Sequence, residues 1–98
     1  MDGFDDNFEI EYDDAKRLKI LEERGLDLAE AKSVFQGSFV QLEDDRSDYG
    51  ETRFRVWGFL GNLRVNLVWT PRGKHLRRII TMRQAHEPEH EAKFKTLD

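Results

Sequence analysis

The apolar positions of the chain keep two different rhythms. Up to Gly37 they recur every three or four residues, which gathers them on one face of a helix. Ala15, Leu18 and Leu21 in "DDAKRLKILEERG" predict a first helix, with Asp13 or Asp14 as its N-cap and Gly25 as its left-handed stop. Leu28, Ala31, Val34 and Phe35 in "LDLAEAKSVFQG" predict a second one. An Asp27–Glu30 capping box opens it, Leu26 staples onto Ala31, and Gly37 closes it. Beyond Gly37 the period falls to two, the signature of half-buried strands. "SFVQLE" predicts a strand, "DDRSDYGE" a polar loop outside the core, and "EIEY" near the start a short edge strand.

"TRFRVWGFL" and "LRVNLVWT" flank Gly61-Asn62, a two-residue hairpin signal of type I′ or II′. Pairing Leu60 with Leu63 puts Phe54, Val56, Gly58, Val65, Leu67 and Trp69 on the core face. Arg53, Arg55, Trp57, Phe59, Arg64 and Asn66 share the other. "PRGK" turns into "HLRRIITMR", a strand adding Arg77, Arg78 and Arg83, in which Ile79 and Ile80 compete for the core side. Pro88 suits the first turn of a final helix whose apolar stripe, Ala92, Phe94 and Leu97, is thin. The expectation is one α+β domain over residues 1–98: two N-terminal helices and one C-terminal helix packed on one face of an antiparallel sheet of about four strands.

Charge changes this picture. The 98 residues carry a net charge of −4, but residues 52–86 hold 8 bases and no acid, while residues 1–51 hold 16 acids and 6 bases. A polyanion responds to local potential, which a patch of one sign sets over about 8–10 Å, so the basic stretch outranks the acidic total. The chain has no cysteine, no apolar leader and no stretch near the roughly 18 apolar residues of a membrane helix, so a cytoplasmic protein without a membrane partner is expected.

Arginines beside aromatic rings on a sheet face suit RNA, since guanidinium forks hold phosphates and rings stack bases. Exposed strand arginines also serve as plain solvating residues; the absence of acids over the stretch favours the binding role. "HEPEH", His86 to His90, spells the H-E-x-x-H zinc motif, but Pro88 separates the histidines and no third ligand is apparent. Phosphate loops, dinucleotide turns and cysteine nucleophiles are missing. RNA cleavage without a metal remains open, because the nucleophile is the substrate's own 2′-hydroxyl. The protein need only align that oxygen, stabilise the phosphorane and move protons.

The motif order also resembles the BrnT family, toxins of type II toxin–antitoxin pairs with a RelE-like ribonuclease fold. "FEIEYDDAK" is similar to the family's F-E-W-D-x-x-K opening, and "RGLDLAEAKSVF" to K-H-G-V-x-F-x-E-A-x-x-V-F. "GETRF" is similar to G-E-x-R-F, and "RRIITMRQA" to R-I-I-S-A-R-x-A. The resemblance implies an endoribonuclease neutralised by a BrnA-like antitoxin, the complex binding its own operator DNA; the missing motifs add the expectation of no cofactor and no metal. It matches Lys16 to the opening lysine, Glu51 and Arg53 to G-E-x-R-F, Arg83 to the later arginine and Glu89 to an acid of the last helix. This chain has Glu23-Arg24-Gly25 in place of K-H-G, Gln84 in place of a lysine, and Lys93 or Phe94 in place of a late tyrosine. Arg24 can hold a phosphate, but with a pKa above about 12 it is a poor base.

The expected catalytic set is therefore Arg53, Arg83, Glu51, His75 and His86, the last three as proton-transfer candidates. The expected RNA-binding set is Arg55, Arg64, Trp57 as a stacking platform, Arg77 and Arg24. The alternative reading is a catalytically impaired module that binds an antitoxin-like partner or RNA without cleaving it. A further expectation is that the acidic residues 1–7 cover the basic sheet as an internal decoy for phosphate.

Overall fold

A computed structural model describes residues 7–95 of the chain; the expected cover of the basic sheet by residues 1–7, Asn7 apart, and Leu97 of the last apolar stripe lie outside the described residues. The order is β1 (Glu9–Glu11), α1 (Asp14–Arg24), a 3₁₀ turn (Leu28–Glu30), α2 (Lys32–Gln36), β2 (Val40–Glu43), β3 (Phe54–Leu60), β4 (Leu63–Arg72), β5 (Leu76–Gln84) and α3 (Glu87–Lys95). The sheet has five strands in the order β1-β5-β4-β3-β2. It is mixed, because β1 runs parallel to β5 with Glu9 opposite Leu76 and Glu11 opposite Arg78. The expectation of about four antiparallel strands is thus corrected to four plus a parallel edge strand. Three residues carry no signal of which strand they will meet.

The hairpin register is as expected: Leu60 faces Leu63, Val56 faces Leu67 and Phe54 faces Trp69. Gly61 turns with φ 62° while no non-glycine residue among those described has positive φ, which makes the turn type II′. A bulge settles the competition at Ile79 and Ile80. Trp69 pairs with Ile79 and Val68 with Thr81, so Ile80 is the extra residue and alternation restarts one position later. Ile79 and Met82 both enter the core, and Ile80 and Thr81 both turn to the other face.

The core lies between the sheet and the N-terminal elements: Phe8, Ile20, Leu28, Val34 and Phe35 meet Val56, Val65, Leu67, Trp69, Ile79 and Met82. The second helix is shorter than its periodicity predicts. Arg17 grips both carboxylate oxygens of Asp27 at 2.7 and 2.9 Å, and Asp27 caps Ala29 rather than Glu30, so the chain starts as a tight 3₁₀ turn before α2. The Arg17 guanidinium beside Asp27 holds its carboxyl down at about 2.

Contrary to the expectation of one shared face, the helices lie on both sides of the sheet. Trp57, Phe59 and Arg64 point away from the core, and α3 packs over them: Trp57 Nε1 donates to Glu89 at 2.9 Å, and Phe59 meets His90 with ring centroids 4.7 Å apart. The sheet is therefore covered by α1 and α2 on one side and by α3 over one end of the other. The uncovered part of that second face positions the candidate site.

Candidate nucleic-acid interface

Helix α1 lies along the stretch of the β5 edge that β1 leaves free. Asp13 caps it by accepting from Lys16 N at 2.8 Å, and Gly25 ends it with φ 70°. Lys16, Ile20 and Arg24 recur at i, i+4 and i+8 on one stripe of the helix. Ile20 enters the core, Arg24 reaches the rim of the sheet, and Lys16 lies near enough to Arg24 and Arg53 to feel their charge. Arg24 Nη1 donates to Met82 O at 2.8 Å and lies 3.4 Å from Thr81 Oγ1. Thr81 pairs with Val68, and Val68 with Arg55. Two strand spacings, roughly 10 Å, thus separate the Arg24 anchor from Arg55 across a Val68 floor.

The electrostatics of this rim are unusual for an acidic protein. Lys16 has a lowered pKa, first because it is desolvated, then because the charges of Arg24 and Arg53 are close. Lys16, Arg24 and Arg55 form no ion pair with a carboxylate among the described residues. Arg55 lies 5.2 Å from the Trp57 ring centre, and its buried Nε has no hydrogen-bond partner among the described residues. Cations held together without counter-ions raise the local positive potential, which favours an anion beside them.

Arg53 joins this cluster from the β2–β3 loop, which is folded tightly on itself. Asp44, expected in a solvated loop, is instead buried. It accepts from Arg46 Nε at 2.7 Å, Arg46 Nη2 at 2.8 Å and Tyr49 Oη at 3.2 Å, and the Arg46 pair pushes its carboxyl well below the usual range. The Tyr49 ring underlies the Arg53 guanidinium at 4.2 Å. Arg53 Nε donates to Glu51 Oε2 at 3.0 Å, and Arg72 Nη1 reaches Glu51 Oε1 at 3.2 Å. The hydrogen bond from Arg53, then burial and Arg72, set the Glu51 pKa; the two arginines outweigh the burial and lower it. Glu51 is ionised and engaged.

Under α3 the groups are paired. Glu89 accepts from Arg83 at 2.7 and 3.2 Å and from Trp57 Nε1 at 2.9 Å; Arg83 and then Trp57 draw its pKa down to about 2. His90 is buried, its Nε2 2.8 Å from Gly58 O, a distance at which that nitrogen carries the proton and donates. That bond spends one of the two histidines of "HEPEH" on anchoring α3. Among the described residues there is no group of three or more His, Asp or Glu placed to hold a metal. No helix among them is long and apolar enough to cross a membrane.

Several expected site residues stand apart from the cluster. Trp57 is 2% exposed beneath α3, with Lys93 4.7 Å from its ring centre, and offers no open stacking face. Arg77 is on the core side, 6% exposed, with its guanidinium 4.0 to 4.6 Å from the rings of Phe8, Phe35 and Trp69. Arg64 shares the outer face but sits 4.0 Å from Glu91 of α3, and Arg83 is bound to Glu89. His75, 3.4 Å from Asn7 O, and His86 lie just beyond opposite ends of β5, whose nine residues span roughly 30 Å, so no single reacting group reaches both. The structure therefore brings together Arg24, Arg53, Arg55 and Lys16. Lys16 was signalled only by the motif match. Asp44 and Tyr49 had no sequence signal beyond lying in a loop next to Arg53.

The comparisons with known proteins bear on the family and the fold. Residues 12–89 match the family model of the ribonuclease toxin BrnT of type II toxin–antitoxin systems. No curated protein matches the chain. The crystal structure of the Brucella abortus ribonuclease toxin BrnT superposes with a TM-score of 0.62 at 23% identity, covering 82% of this chain and 99% of that one, a likeness of fold. With the family match spanning most of the chain, it belongs to the BrnT family of ribonuclease toxins of type II toxin–antitoxin systems.

Proposed function

We propose that this chain is an endoribonuclease that cleaves single-stranded RNA without a metal and is neutralised by a BrnA-like antitoxin, with operator DNA bound only by the complex, in the cytoplasm. The observation that carries the reading is the set of un-neutralised cations, Lys16, Arg24 and Arg55, gathered beside Arg53 on the open part of a sheet face. Arg24 and Arg55 would grip phosphate oxygens from either side of Val68, and Arg53 would add charge as the phosphorane forms. Lys16, a cation whose pKa is lowered first by desolvation and then by Arg24 and Arg53, would return a proton to the leaving oxygen. Arg83 and Glu89 would brace α3 rather than touch substrate.

One observation favours the alternative of an RNA- or antitoxin-binding module with little turnover. Glu51 and Glu89 are held ionised by arginines and the Tyr49 hydroxyl is engaged with Asp44, which leaves few groups beside the cluster to move protons. Incubating the protein with total RNA in EDTA separates the two. Cleavage by wild type, lost in Arg24→Ala/Arg55→Ala and in Lys16→Met, is the expected result. Full cleavage by the double variant refutes this site. Tight RNA binding without cleavage by wild type selects the alternative.

A further inference from the structure

We infer that Tyr49 is a positioning residue that acts through Arg53, an assignment that rests on the ribonuclease reading above. An arginine in a cation cluster faces two demands. Its long side chain must be held in one geometry, yet its charge and its forked N–H groups must stay available to a phosphate. A carboxylate partner meets the first demand and defeats the second. An aromatic face meets both, because it holds the guanidinium plane by stacking and uses none of its in-plane donors.

The β2–β3 loop supplies such a face. The Tyr49 ring lies 4.2 Å beneath the Arg53 guanidinium, and Glu51 takes only Nε, so both terminal nitrogens of Arg53 are without hydrogen-bond partners among the described residues. The ring is itself fixed. Its hydroxyl donates to Asp44 at 3.2 Å, and Asp44 is locked by Arg46 and tied to the start of β3 by its own N–H, which donates to Arg53 O at 2.7 Å. The segment from Asp44 to Arg53 thus closes on itself, with the Arg53 side chain as its output. Glu51, shared with Arg72, sets the direction of Nε, and Tyr49 sets the plane.

The test is a mutant cycle. Tyr49→Leu and Tyr49→Phe are made in wild type and in Arg53→Ala, with thermal midpoints checked. Cleavage of a single-stranded RNA in EDTA is measured as kcat/KM. Tyr49→Leu should lower it about 5- to 10-fold in wild type, the range of a cation–π contact. In Arg53→Ala it should cause no further loss, because two residues acting as one unit are not additive. Tyr49→Phe keeps the ring and should stay within about threefold of wild type. A second readout needs no activity: the Arg53 Nε–H signal in NMR, shifted by the ring, should move in Tyr49→Leu and hold in Tyr49→Phe. An equal loss in both backgrounds, or an Arg53 signal indifferent to Tyr49→Leu, overturns the assignment. If wild type fails to cleave RNA, the ribonuclease reading falls instead, and the NMR signal still decides whether Tyr49 holds Arg53.

Discussion

Replacing Glu89 by glutamine isolates a charge while keeping its shape. Glutamine can still accept from Trp57 Nε1, so the change removes chiefly the ionic part of the Glu89–Arg83 contact. A carboxyl drawn from 4.5 to about 2 prefers its ionised form in the fold by about 3 kcal/mol. That is an upper bound. The Arg83 side chain is 43% exposed and that of Glu89 28%, so solvent screening reduces the expected stabilisation to about 1.5 kcal/mol. The sign follows from linkage: a folded pKa below the unfolded one contributes stability above pH 4.5, lost as the pH falls from there towards 2. Urea denaturation followed by tryptophan fluorescence reads this directly, because both Trp57 and Trp69 are buried. With a slope of about 1.5 kcal/mol per molar, Glu89→Gln should lower the midpoint by about 1 M at pH 7, and the gap to wild type should narrow from pH 5 to pH 3. Equal midpoints at pH 7, or a gap that widens on acidification, would refute the account of how α3 is held.

Gly58→Ala should destabilise by about 1–3 kcal/mol in the same assay, since a Cβ there would stand 2.8 Å from Val34 Cγ1 and 3.2 Å from Phe39 Cβ. Arg55→Gln should lower the slope of log affinity against log salt for single-stranded RNA by about 0.7, one phosphate contact. Arg77→Met, by contrast, should leave that slope unchanged, because its guanidinium lies among Phe8, Phe35 and Trp69; a lower slope would mean that it reaches the nucleic acid.

What the sequence could show depended on whether a signal was local. The Gly61-Asn62 turn carried its own register, and through it the faces of Phe54 to Trp69, since period-two alternation leaves no freedom once one pair is set. The same rule misassigned Arg77 by default: "HLRRIITMR" has arginine on both faces, and only the rings of Phe8, Phe35 and Trp69, distant in sequence, decide which one is buried. The bulge at Ile80 is legible only as a conflict between two neighbouring isoleucines. Trp57 shows the limit for the site. Its outward direction was readable from alternation, but the cover over it was not, because α3 has so weak an apolar stripe that its docking depends on Glu89 and His90. Lys16 and Arg24 appeared as charges on a solvated helix; the short pairing of β1 with β5 is what carries Arg24 to the sheet rim and Lys16 close to Arg24 and Arg53.

That parallel pairing also governs when the cluster can exist. Lys16 and Arg24 come from the first quarter of the chain, Arg53 and Arg55 from its middle, and the strand that joins them, β5, ends at Gln84. Such distant partners fold slowly, and a nascent or truncated polypeptide lacking β5 has its cations on separate pieces. A chain interrupted before β5 therefore leaves Arg24 without its anchor at Met82 and the cluster unassembled, so the arrangement belongs to the closed sheet and to no single segment of it.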